Sequence, residues 1–91
     1  MIKTYQQLQS EYDGLQRTIK ERERQAESLT QEIRWQKQQY KEDPNNEETR
    51  QRIIEITERD APRLAIGLVE LVKQLKTIEA KIRLANWVGK N

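Results

Sequence analysis

Apolar residues recur along this chain in two long runs with alternating steps of three and four. The first run is Tyr5, Leu8, Tyr12, Leu15, Ile19, Ala26, Leu29, Ile33 and Tyr40. The second is Ile54, Ala61, Leu64, Leu68, Leu71, Leu75, Ile78, Ile82 and Ala85. A repeat of 3.5 residues places each run on one side of an α-helix and is the seam of a coiled coil. Between them stands Asp43-Pro44-Asn45-Asn46. Pro44 disfavours helical geometry at Asp43. Asn45, with Glu48 three residues on, reads as a capping box, and Glu47 and Glu48 complement the dipole of the helix that follows. The pattern predicts a helix over about 4–42, a turn at 43–46 and a second helix over about 47–88, with Gly89 as its stop.

Two residues interrupt this scheme. Gly14 lies at a solvent-facing position and weakens the first helix by about 1 kcal/mol relative to alanine. Pro62 cannot donate to the carbonyl of Glu58, so the second helix is expected to be kinked there. The heptad phase runs on from Ile54 through Leu64 to Leu71, which favours a kinked but continuous helix over a break.

Folding the chain at the turn pairs positions whose numbers sum to about 90, the a-to-d pairing of antiparallel helices. Leu8 then meets Ile82, Tyr12 meets Ile78, Leu15 meets Leu75 and Ile19 meets Leu71. Ala26 meets Leu64, Leu29 meets Ala61 and Ile33 meets Thr57. The expected fold class is therefore all-α: a single antiparallel two-helix coiled-coil hairpin. Arg22 falls in this seam opposite Leu68 and is the candidate register determinant, since single polar core residues set register in coiled coils. Gln36 opposite Ile54 is a weaker case.

One seam does not use all the apolar surface of the second helix. Leu64, Ala65, Ile66, Leu68, Val69, Leu71 and Val72 cover most of its circumference, and a partner on the seam side leaves Ile66, Val69 and Val72 in water. A helix apolar nearly all round is normally buried on several sides. Self-association through Ile66, Val69 and Val72 into a homodimeric four-helix bundle is the expected answer, with Gly67 permitting close approach.

Composition then narrows the chemistry. The 91 residues suffice for one domain; 34% are hydrophobic, 35% charged and 5% aromatic, suited to long exposed helices rather than a thick core. Absence of cysteine and histidine removes disulfides, thiolate sites and imidazole chemistry. Glu21, Glu23, Glu27 and Glu32 interleave with Arg17, Lys20, Arg24 and Arg34, the pattern of surface ion pairs rather than acid–base catalysis. No enzyme activity, metal or cofactor is expected. No apolar run approaches the length of a membrane span, and residues 1–7 lack the apolar core of a signal peptide, so the expected address is the cytoplasm.

Net charge is +2, with eight basic and eight acidic residues up to Asp43 and nine against seven afterwards. That excess is too small for a general nucleic-acid field. Even so, Lys73, Lys76, Arg83, Trp87 and Lys90 share the outer face of the second helix. This basic stripe supports an alternative, a small nucleic-acid-binding accessory protein. A further alternative is attachment to an anionic membrane surface through Trp87 and Val88. Trp35 lies outside the seam among glutamines and is, with Trp87, a candidate anchor for a protein partner. The expected function is a non-catalytic protein–protein interaction module: an adaptor, scaffold or assembly subunit that displays helix faces.

Overall fold

In the computed structural model, which describes residues 3–89, helix α1 (Tyr5–Glu42) turns back into helix α2 (Glu47–Glu55). A π-helical turn (Ile56–Asp60) and helix α3 (Ala61–Gly89) follow without a gap. The described residues contain no strand. The long axis is 69 Å and the other two are 17 and 15 Å. The second arm, 47–89, spans about 64 Å at the α-helical rise of 1.5 Å per residue. The molecule is thus two helices laid side by side over their full length. Its radius of gyration is 19.9 Å, against about 12 Å for a compact domain of this size.

Helix α1 begins on a capping box. The Gln7 amide donates to Thr4 Oγ1 at 3.2 Å, and the Thr4 amide donates to Gln7 Oε1 at 2.9 Å. Two of the otherwise unsatisfied first-turn donors are met in this way. The helix ends at Asp43, whose backbone (φ −137°, ψ 84°) has left the helical region, as the following proline disfavours helical geometry there. The Asn46 amide closes the turn onto the Asp43 carbonyl at 3.2 Å. The cap of the second arm is Asn46, one residue later than expected from Asn45 and Glu48. Asn46 Oδ1 accepts from the Thr49 amide at 3.2 Å, while the Asn45 amide is held by Asp43 Oδ1 at 3.4 Å. Asp43 occupies Asn45 within the turn, and the capping role passes to the next asparagine.

The seam holds in the half of the hairpin away from the turn. Leu8 is buried, and Tyr12, Leu15, Ile19, Leu64, Leu68, Leu71, Leu75, Ile78, Ile82 and Ala85 are all partly covered. The Tyr12 hydroxyl donates across the hairpin to Glu79 at 3.3 Å, one residue along from its expected neighbour Ile78.

Nearer the turn the expected register fails. Ala61 and Thr57, assigned to meet Leu29 and Ile33, are exposed. Ile56 is 1% exposed, the deepest large side chain among the described residues, and Thr49 is buried with it. The reason is the π turn. The Ala61 amide reaches back five residues to the Ile56 carbonyl, so this turn holds one more residue than an α-turn. The seam therefore runs through Thr49, Ile53, Ile56 and Asp60 before rejoining Leu64, and the heptad phase is not continuous past Pro62. Proline explains the location. It has no amide for the Glu58 carbonyl, and its ring excludes that carbonyl from an α-turn. A wider turn relieves both conflicts while the helix continues.

Gly14 lies in the interior of α1, in its first third, and a Cβ added there meets nothing within 4 Å. Gly14→Ala is expected to raise stability by about 1 kcal/mol, because alanine loses less backbone entropy on entering a helix. A thermal melt that does not rise would show that this part of α1 is not helical in solution.

Candidate functional site

The tightest polar constellation is built on the π turn. Arg52, on α2, reaches across to Glu32 on α1 in a two-pronged pair: Nε to Oε2 and Nη2 to Oε1, both 2.7 Å. Its Nη1 also donates to Asp60 Oδ2 at 2.9 Å and to Glu55 Oε2 at 3.3 Å. Arg59 completes the cluster, donating from Nε to Asp60 Oδ1 at 3.0 Å. The planar guanidinium matches this fork of acceptors as an ammonium could not. Hydrogen bonding from Arg52 holds the Glu32 carboxyl below its ordinary range. The Asp60 carboxyl is held down first by Arg59 and then by Arg52, and the Arg52 guanidinium is driven further toward its charged form, chiefly by Glu32.

All these carboxylates are occupied by arginine, which leaves none poised as an acid or base. The cluster is an electrostatic clasp between the arms. In the unbroken heptad Arg52 lies off the seam, and only the extra residue of the π turn rotates it toward α1. The legible signal was Arg52 followed by Glu55 and Asp60 just before a mid-helix proline.

Arg22 does not enter the core position expected for it. It is exposed, and its Nη1 donates to Gln25 within its own helix at 3.1 Å. It borders an open groove between the arms, faced by Arg24, Gln25 and Ser28 on one side and Arg63 and Gly67 on the other. Short and polar side chains leave this middle stretch unfilled. Gln36 is partly covered.

The apolar surplus of α3 is displayed to solvent. Ile66 is 66% exposed, Val69 54% and Val72 38%; farther along lie Leu84 at 62%, Trp87 at 66% and Val88 at 59%. At helical spacing Ile66, Val69, Lys73, Lys76, Ala80, Leu84 and Trp87 share one face, opposite the seam. Lys76 and Arg83 are exposed on or beside it, while Lys73 pairs with Glu70 at 3.7 Å. Lys90 lies outside the described residues. Trp35 is 59% exposed on α1, on the side of that helix away from its seam. The two tryptophans thus occupy different helices near opposite ends of the rod. Among the described residues, no helix is long and apolar enough to cross a membrane.

Fold and surface together define a long helical hairpin, clasped by Arg52, with an uncovered apolar face on its second arm. Comparison with known proteins finds no matching family model, no matching curated protein and no matching solved structure.

Proposed function

We propose that this protein is a non-catalytic interaction module, an assembly subunit, scaffold or adaptor, and that it acts by burying the outer face of α3 against a partner helix. The observation that supports this reading is the row of exposed apolar side chains at Ile66, Val69 and Val72. Fully burying a side chain of this size contributes roughly 1.5–3 kcal/mol; Ile66, Val69 and Val72, still 66%, 54% and 38% exposed, retain about half of that each for association. Self-association through this row, forming a four-helix bundle from two hairpins, is the simplest way to cover it. Trp35, on the other arm, is then the candidate anchor for a further protein.

Light scattering tests the proposal. Wild type is expected at the mass of two chains, and Val69→Glu, which places a carboxylate in the row, at the mass of one with its helix content unchanged. A single-chain mass for wild type at every concentration, or an unchanged mass for Val69→Glu, would overturn self-association through this row. The nucleic-acid alternative has less support. One lysine of the stripe is already paired with Glu70, and apolar residues separate the remaining cations, which suits a packed face better than a phosphate track.

A further inference from the structure

We infer that the second copy lies antiparallel on the outer face of the second arm, with the two-fold axis at Val69 and contacts extending the full length of that arm. This rests on the self-association proposed above and deepens it. Three observations carry it.

The first is position. Val69 falls one residue from the middle of the helix 47–89, so an antiparallel copy centred there overlaps nearly all of the described arm. A copy centred elsewhere would leave part of the face bare.

The second is side-chain matching. The π turn shifts the outer face of the first part of the arm onto Gln51, Ile54, Glu58 and Pro62, where Gln51 and Glu58 are exposed and Ile54 partly so. Reflected through Val69, Ile66 meets Val72, and Ile54 meets Leu84, which is 62% exposed. Gln51 reaches the level of Trp87.

The third is charge. Pointing away from the seam are the carboxylate of Glu58 before Pro62 and the cations Lys76, Lys81 and Arg83 after it, all exposed, whereas Glu55 is held in the clasp by Arg52. Glu58 reflects onto Ala80 and its neighbour Lys81. An antiparallel copy therefore sets opposite charges together at both ends of the interface. A parallel copy sets Glu58 against Glu58 and Arg83 against Arg83, an arrangement that like-charge repulsion disfavours.

The chain has no cysteine, so single-cysteine variants report orientation directly under mild oxidation. Val69→Cys is expected to cross-link to itself. Ile54→Cys mixed with Leu84→Cys is expected to give the mixed dimer, with little of either self-linked species. Charge exchange gives a second readout: Glu58→Lys is expected to weaken dimerisation about fivefold, and adding Lys81→Glu to restore it.

A dimeric mass in which Ile54→Cys links only to itself would overturn the antiparallel placement and leave self-association standing. A dimeric mass with neither Ile54–Leu84 links nor rescue by the second charge change would overturn the contact pattern. A single-chain mass for wild type overturns both readings. Co-sedimentation of that single chain with phosphatidylserine vesicles would then identify an anionic lipid surface as what covers the face.

Discussion

Ile56→Ala is expected to destabilise the hairpin by about 3 kcal/mol, the middle of the range for emptying a fully buried large aliphatic site. In a chain of this size that is a fall of roughly 15 °C in Tm. The effect is large because Ile56, at 1% exposure, is the most deeply covered large side chain among the described residues, in a seam where Leu8 and Thr49 are the other buried positions. The neighbouring substitutions sharpen the test. Thr57→Ala and Ala61→Ser alter exposed positions and are expected to shift stability by less than about 0.5 kcal/mol. Thermal melts by circular dichroism at one fixed protein concentration measure all three, since association would make Tm concentration-dependent. Were Thr57 or Ala61 more sensitive than Ile56, the unbroken heptad would be correct and the π-turn register wrong.

Arg52→Met carries the second large effect. It removes the one cation shared by Glu32, Glu55 and Asp60; Arg59 stays on Asp60 and Glu55, but Glu32 loses its partner across the hairpin, so Tm near neutral pH is expected to fall by several degrees. Arg22→Met, at an exposed site bonded only within its own helix, serves as the control with little change. The pH dependence separates the clasp from simple packing. Glu32 and Asp60 have folded-state pKa values below their ordinary 4.5 and 3.8. Their contribution is therefore fully present above those ordinary values and lost as pH falls through the lower folded ones. Wild type should lose its advantage over Arg52→Met as the solution is acidified below about pH 4. A gap that persists unchanged in acid would show that the methylene stem of Arg52, rather than its charge, stabilises the hairpin.

The Arg52 clasp also shows how much of the site could be read from residues alone. Each member is an ordinary charged residue on a charged helix. Nothing in the spacing of Glu32 and Arg52 marks them as partners, because their meeting depends on the register between the arms. The candidate named from the repeat, Arg22, occupies the right heptad position but lies where the arms leave an open groove, so its side chain extends into solvent. The exposed row on α3 was legible for the opposite reason. It depends only on excess apolar residues within one helix, and no choice of register can bury both sides of that helix in a two-helix hairpin.

The same distinction holds for the fold. Local periodicity, Pro44 and a capping asparagine are enough to specify two helices joined by a tight turn, because each acts over a few neighbouring residues. They also specify the pairing in the half that contains Leu8 and Ile82, where both arms keep one repeat. Tertiary structure decided what happens at Pro62. A proline inside a helix can be met by a kink, a break or a wider turn, and the choice depends on which residues the wider turn rotates toward the other arm. Here it buries Ile56 and brings Arg52 within reach of Glu32. Those gains come from contacts with α1, across the hairpin, and the residues around Pro62 do not carry them by themselves.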